Sequence, residues 1–457
     1  MHRLNQIKVA YFIGIGGIGM SALARYFNFS GKIVMGYDRT PSQLTDELVN
    51  EGIAVHFNED IKFISSSCPL NETLVIYTPA VPIDQLEYIW FLKNHYNIKK
   101  RAEVLGMISE HFKTIAIAGT HGKTTISTMV AHILKNSGID CSAFLGGISK
   151  NYKTNFLISA SSEYLVTEAD EFDRSFLHLT PYSAVISAID ADHLDIYNNE
   201  AELKKSFFLF AGRVMPGGNL ILRHGIDLYP EVSDGLNIYK YSLNDKTDFF
   251  TENLILSDKG FMFDIHVPGG RIISNLRLKL PGRINVENAV AATAAAWLAG
   301  AEDDEIRNAL AGFDGVSRRF DYRINTPDLV YIDDYAHHPV ELKAAITSIR
   351  ELFPGRKITG IFQPHLFSRT RDFASGFAES LDLLDELILL DIYPARELPV
   401  EGVTSEIIFN KMKLKNKVTC SMRELLSYMS GKKFEVLLTL GAGDIDRMVE
   451  PITKLLR

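Results

Sequence analysis

Cysteine is scarce in this chain, basic charge is not in excess, and no long apolar run occurs; each absence removes a class of function. Only Cys68, Cys141 and Cys420 occur in 457 residues. They are far apart, odd in number and lack metal-ligand spacing, which reads as reduced structural thiols rather than a disulfide frame, and implies no redox chemistry. The 48 Lys and Arg are outnumbered by 56 Asp and Glu, for a net charge of −8. That balance argues against nonspecific nucleic-acid binding, so an anionic ligand would need local basic groups or backbone donors. No window reaches the ~18 to 20 apolar residues that span a bilayer. The apolar stretch from Val9 to Ala24 follows His2, Arg3 and Lys8 much as a secretory signal would. Glycines at 14, 16, 17 and 19 and a helical continuation into Arg25 and Tyr26 argue against one. The expectation is a cytoplasmic protein with neither nucleic-acid nor membrane partners. Low-complexity segments and short-period repeats are also absent.

What is present is an ordinary globular composition, 46% hydrophobic and 23% charged, in a chain too long for one core. About three domains of ~150 residues are expected. The fold class reads as α/β throughout. Short apolar runs alternate with helical patterns in the first 110 residues: Lys8 to Ile13, Ile18 to Phe29, Ile33 to Tyr37, Leu74 to Tyr77 and Asp84 to His95. A second unit, 111–317, opens on the strand-like Thr114 to Ala118. It includes strands from Tyr164 to Thr167 and from Ser183 to Ile189, passes through a smaller β-rich part from Gly217 to Leu280, and ends on an alanine-rich helix from Val286 to Leu298. A third unit, 318–457, alternates strand and helix again from Leu329, with helices expected over Val340 to Leu352 and Phe373 to Leu384.

The strongest chemical signal is Gly119-Thr120-His121-Gly122-Lys123-Thr124-Thr125, between an apolar strand and a helical segment, Ile126 to Lys135. Glycines admit backbone N–H groups to phosphate oxygens, the helix N-terminus adds positive potential, Lys123 supplies a point charge, and Thr124 or Thr125 can hold a metal. The turn reads as a nucleoside-triphosphate cradle of non-standard spacing, because Ile117 stands where a first glycine would be. Gly14-Ile15-Gly16-Gly17-Ile18-Gly19 fits a dinucleotide-type loop, with Asp38 ending the next strand about where a ribose-binding acid would lie. An NAD-dependent dehydrogenase would use that loop, yet any pyrophosphate satisfies it equally. Glu168-Ala-Asp-Glu-Phe-Asp and Asp190-Ala-Asp-His193-Leu-Asp each end a strand of the sheet that carries the cradle, and carboxylates with an imidazole beside a triphosphate suit Mg²⁺. In the last unit Asp333-Asp334-Tyr335-Ala336-His337-His338-Pro339 precedes a helix with proline at its first position. Gln363-Pro-His365-Leu366-Phe-Ser-Arg369-Thr-Arg371 follows one strand later, with arginines suited to carboxylate or phosphate.

Taken in order, these motifs resemble the Mur ligase family nearly end to end. The resemblance rests on Gly14 to Ser21, Gly119 to Thr125, Glu168 to Phe176, Asp192 to Asp195, Asn285 with Asn288, Arg318-Arg319-Phe320, Asp334 to Pro339 and Gln363 to Arg369. It implies three domains: an N-terminal Rossmann-like domain, a central P-loop ATPase-like parallel sheet and a C-terminal Rossmann-like domain. The implied reaction joins L-alanine to UDP-N-acetylmuramate with ATP, through an acyl phosphate, in peptidoglycan precursor synthesis. Gly14, Gly16, Gly17, Gly19, Met20, Ser21 and Asp38 would receive the UDP-sugar. Gly119, Thr120, His121, Gly122, Lys123, Thr124 and Thr125, with Asn285, Asn288, Arg319 and Asp334, would contact ATP. Thr124, Glu168 and His193 would arrange Mg²⁺, and His337 and Arg369 would face the amino-acid and muramate carboxylates, so that Lys123, Glu168, His193, His337 and Arg369 carry the chemistry. A monomer or weak homodimer is expected. Position 366 departs from the family pattern, being Leu where many relatives carry arginine, which leaves that contact to Arg371 or Arg396 or to none. A murein-peptide recycling ligase on the same sugar nucleotide is the neighbouring alternative. A dehydrogenase would leave the phosphate cradle unexplained.

Overall fold

A computed structural model describes residues 4, 6–82, 84–190, 197, 199–228, 235–257, 260–395 and 397–457. Among the described residues the chain is α/β with three sheets. By contacts it falls into two compact units, one of Met1–Ile255, Met262–Arg277 and Glu287–Phe313, the other of Leu256–Phe261, Leu278–Val286 and Asp314–Arg457. Among the described residues no helix is long and apolar enough to cross a membrane.

The first sheet has five parallel strands in the order Ala54–His56, Ile33–Tyr37, Val9–Ile13, Thr73–Tyr77, Asn97–Lys100. Val9–Ile13 is buried at every position, as a central parallel strand covered on both faces must be. Chain order reverses on either side of it, so the Gly14 to Gly19 loop leaves its carboxyl end at the switch point where open α/β sheets hold ligands. The loop opens the helix Ile18–Phe29.

The second sheet runs Arg271–Leu278, Gly260–Val267, Phe249–Ser257, Asn237–Ser242, Asn219–Arg223, Ser183–Ile186, Lys113–Ala118, Tyr164–Ala169, Ser142–Ser149, Thr154–Leu157. Lys113–Ala118 is parallel to both neighbours, so the phosphate turn and Glu168 share one sheet edge. The expected β-rich stretch is present as the strands between Asn219 and Leu278.

The third sheet runs Asp321–Asn325, Val330–Asp334, Val436–Leu440, Ile358–Phe362, Glu386–Leu390, Lys417–Cys420, parallel except for its first pair. His338 caps the helix Pro339–Leu352 and Pro339 takes its first position, where a missing N–H costs nothing.

Several expectations need correction. The helix expected from Phe373 to Leu384 runs Ala374–Leu381 with Phe373 as its N-cap, and a separate short helix, Phe367–Asp372, which also ends at Phe373, precedes it unannounced. The helix after the phosphate turn starts at Lys123 rather than Ile126, with left-handed Gly122 as its N-cap. The alanine-rich helix starts at Arg283 rather than Val286, and the strand expected from Ser183 to Ile189 ends at Ile186. The helix Arg101–Ser109 escapes periodicity because Ala102, Val104, Leu105, Gly106, Ile108 and Ser109 bury it nearly all round, leaving no polar stripe to read.

Candidate active site

At the phosphate turn, Gly119 (φ +132°) and Gly122 (φ +83°) hold backbone conformations that side chains resist. Space excludes side chains as well: a methyl group at Gly119 would strike Ser187 Oγ, and one at Gly122 would lie 2.9 Å from Asn288 Oδ1. Asn288 therefore packs against the glycine that opens the helix. Thr120 N donates to Ala188 O and Asp190 N donates to Thr120 Oγ1, which ties the turn to the segment after the neighbouring strand. His121 Nε2 stands 3.4 Å from Asp190. Thr124 and Thr125 are buried in the first helical turn.

Lys123 reveals a partner the sequence reading missed. Its Nζ donates to Gly119 O at 2.7 Å and to both carboxylate oxygens of Glu171 at 2.8 Å. Burial pulls Lys123 down, but the carboxylates of Glu171 and Asp170 outweigh it and hold the ammonium above its usual range. Burial pushes the Glu171 carboxyl up to about 7, against the pull of Lys123. The backbone oxygen of Glu171 accepts from the Tyr197 hydroxyl, which fixes this corner.

Glu168 does not touch Lys123. Its Oε1 accepts Gly146 N–H at 3.0 Å and lies 3.5 Å from Ser127 Oγ, and it lines a cavity of about 320 Å³ with Gly17, Gly19, Met20 and Arg101. This joins the glycine loop to the carboxylate strand within one unit. Among the described residues no group of three or more His, Cys, Asp or Glu could hold a metal alone. Thr124 and Glu168 are the hard-oxygen type Mg²⁺ prefers, and an ion using one or two protein oxygens completes its shell with phosphate and water, so the donor set fits. His193, with Asp192, Leu194 and Asp195, lies outside the described residues.

In the glycine loop, Asp38 Oδ2 accepts Gly16 N–H at 2.7 Å while Oδ1 takes Thr40 N–H at 3.1 Å. The acid thus braces the loop itself, through an amide the loop would otherwise offer to an anion. Ser21 donates to Ile18 O and accepts from Asn155, while Met20 packs in the core.

In the other unit Asp334 accepts from Phe320 N (2.7 Å) and Ala336 N (2.8 Å). Burial raises its carboxyl to about 6 despite Arg319 and those two N–H groups. Arg318 and Phe320 adopt left-handed backbone (φ +62° and +50°), local strain of the kind that collects at functional sites. Arg319 stacks on Tyr335 with its guanidinium 4.8 Å from the ring centre. His337 Nδ1 faces Tyr335 O at 3.1 Å and Glu341 Oε2 at 3.2 Å; facing two acceptors, it carries hydrogen. Glu341 is a second partner missed at the sequence level. The His337 ring meets that of His365 edge-on at 5.9 Å, which brings the two C-terminal motifs together. Arg369 is buried on the short helix just beyond. Leu366 takes φ +69° and is also buried, while Arg371 pairs with Asp372. Arg396 lies outside the described residues. Asn285 donates to Pro281 O at the start of its helix.

Comparison with known proteins agrees with this layout. The Mur ligase family catalytic domain matches residues 9–113, the Mur ligase middle domain 117–296, and the Mur ligase glutamate ligase domain 318–443. The UDP-N-acetylmuramate--L-alanine ligase of Phocaeicola vulgatus is 51% identical over 456 residues, 99% of both chains. The crystal structure of UDP-N-acetylmuramate-alanine ligase from Thermotoga maritima is 28% identical with a TM-score of 0.81, covering 97% of this chain and 98% of that one. A murein peptide ligase from Psychrobacter arcticus shares the fold at 21% identity and a TM-score of 0.73, covering 98% of each chain. Three family domains in order and relatives half identical from end to end place this chain in the Mur ligase family.

Proposed function

We propose that the protein joins L-alanine to the lactyl carboxylate of UDP-N-acetylmuramate, converting ATP to ADP and phosphate, as a step of peptidoglycan precursor synthesis. The observation that carries this reading is a phosphate turn whose half-buried Lys123 is paired with Glu171, on the sheet edge it shares with Glu168, in a chain half identical throughout its length to enzymes named for that reaction. We assign residues 1–110 to the sugar nucleotide, 111–317 to ATP and 318–457 to the amino acid and part of the ATP. Its nucleotide substrates and free thiols support a cytoplasmic location.

A carboxylate is inert to amines until one oxygen becomes a leaving group. In the first step a lactyl oxygen attacks the γ-phosphorus and the bond to ADP breaks, giving an acyl phosphate. The alanine nitrogen then attacks the acyl carbon, phosphate leaves, and the amide remains. Catalysis of such transfers is mostly positioning and charge stabilisation. Lys123 moves its charge from Glu171 onto the phosphates, and N–H groups of the Gly119 to Thr125 turn other than that of Thr120, which is held by Ala188 O, bind the same oxygens. Thr124 and Glu168, with His193, would hold Mg²⁺, which neutralises charge on the transferred phosphoryl group. Asn285, Asn288, Arg319 and Asp334 contact the rest of ATP. His337 and Arg369 orient the carboxylates of alanine and muramate, Arg369 through the planar fork that matches a carboxylate at two points.

The test is phosphate release from ATP and UDP-N-acetylmuramate with each amino acid supplied separately. Release that needs both the sugar nucleotide and L-alanine is expected. Release only with a muramyl peptide, or none without NAD(H), would overturn the assignment.

A further inference from the structure

We infer that Arg101 holds the diphosphate of the sugar nucleotide, an inference that rests on the function proposed above. The 320 Å³ cavity between the glycine loop and Glu168 carries two carboxylates on its wall, Glu168 and Asp170. A diphosphate entering this space in a chain of net charge −8 needs a local cation. Among the described residues that line the cavity, Arg101 is the sole Lys, Arg or His.

The guanidinium lies directly on the first turn of the helix that opens from the glycine loop. A methyl group at Gly19 would come within 2.7 Å of Arg101 Nη1 and 3.3 Å of Cζ. The last glycine of such loops is usually explained by close packing of helix on strand. Here the group that needs the space is an arginine. The helix N-cap, Gly17, offers no side-chain oxygen to the first-turn amides, so an anion held there would meet both backbone donors and the guanidinium.

The backbone of Arg101 is fixed by packing, and its guanidinium still has donors to give. Arg101 is the first residue of the helix Arg101–Ser109, directly after the strand Asn97–Lys100, and the helix is packed through Val104, Leu105 and Ile108. Its Nη2 stands 3.6 Å from Asp170 Oδ2, beyond hydrogen-bond reach, with the side chain 23% exposed. Asp170 thus keeps the guanidinium loosely over the site, and a diphosphate oxygen at bonding distance displaces that weak pair.

The experiment is calorimetric titration of UDP, UDP-N-acetylmuramate and ATP into the wild-type protein, Arg101→Ala and Arg101→Lys. Losing a charge-assisted contact should weaken UDP and UDP-N-acetylmuramate alike by about 10- to 100-fold. ATP affinity should stay within about twofold, and Arg101→Lys should recover part of the loss because charge returns without the fork. Gly19→Ala supplies an independent variant, displacing the guanidinium without altering its charge, and should weaken UDP in the same direction; it carries the test if Arg101→Ala does not fold. Unchanged UDP affinity in Arg101→Ala, even with weaker UDP-N-acetylmuramate, overturns the inference, as does an equal loss for ATP. A wild-type protein that ligates alanine alongside an unaffected Arg101→Ala sinks this inference alone. A wild-type protein that binds neither uridine nucleotide sinks it together with the proposed function.

Discussion

Replacing Lys123 by alanine separates what the lysine does for ATP from what it does for the fold. In the structure its ammonium is the bidentate partner of a carboxylate with no solvent exposure, Glu171, whose carboxyl titrates at about 7 against an ordinary 4.5. Between those two values the native protein holds a proton the unfolded chain has lost, so wild-type stability linked to this group falls as pH rises through the window and levels off above about 7. Without Lys123 the lone buried carboxylate stays protonated to higher pH, and the fall continues. At about pH 8.5, roughly 1.5 units above the wild-type value, the stability gap between variant and wild type should be about 2 kcal/mol wider than at about pH 6. For domains of this size that is a further drop of about 4–8 °C in the denaturation midpoint. Adding Glu171→Gln to Lys123→Ala removes the titrating group and should abolish the extra drop. Turnover should fall by a hundredfold or more in both variants, because triphosphate charge is left uncompensated in the transition state. The assay is the denaturation midpoint at the two pH values beside steady-state phosphate release. A midpoint difference that does not change with pH would refute the ion-pair argument. A Lys123→Ala enzyme that keeps most of its turnover would remove the phosphate-cradle assignment.

Three further outcomes are expected. Glu168→Ala should raise the Mg²⁺ concentration for half-maximal rate about tenfold, and Gly146→Ala should shift it the same way, since a methyl there would strike the Glu168 carboxylate; unchanged rate-versus-magnesium curves would leave Glu168 a structural acid. Asp334→Asn should lower the denaturation midpoint by the equivalent of about 1–3 kcal/mol, because an amide NH₂ would face Phe320 N–H or Ala336 N–H in place of an acceptor; an unshifted midpoint would mean those two bonds do not hold the turn. Arg369→Lys keeps charge but loses the planar two-point contact, costing roughly 1–3 kcal/mol. Its KM for alanine or UDP-N-acetylmuramate should rise well above any change for ATP, and a defect confined to ATP would move the carboxylate contact to another residue.

The features legible in the sequence were those fixed within a few residues. A strand, a turn with glycines at Gly119 and Gly122, and a helix must run in that order because the two glycines carry positive φ and the helix can begin only where they end. Val9–Ile13 is apolar at every position because both of its faces are covered. What escaped was decided by packing. Arg101–Ser109 is buried almost all round and so shows no 3.6-residue stripe, and with the helix unseen its first residue could not be placed over Gly19. The short helix Phe367–Asp372 is likewise invisible to periodicity, because its buried residues are Arg369 and Thr370 and it carries no apolar stripe.

The carboxylate motif shows where local reasoning stops. Strand alternation puts Glu168 and Asp170 on one side, and both line the cavity. The strand ends at Ala169, so alternation no longer governs the residue after Asp170; the chain turns into a short 3-10 segment in which Asp173 and Arg174 take left-handed backbone. Glu171, at the head of that turn, comes back to Lys123 across 48 residues of sequence. Residue type identified the motif as acidic and placed it at the right sheet edge. Which acid faces the lysine and which faces the cavity depends on where the strand gives way to the turn, and that boundary is set by the packing of Phe176 beneath the turn against Phe207 and Phe210. A substitution that unpacks Phe176 should therefore disturb the Lys123 pair before it disturbs Glu168, whose position is already fixed by the strand and by Gly146 N–H.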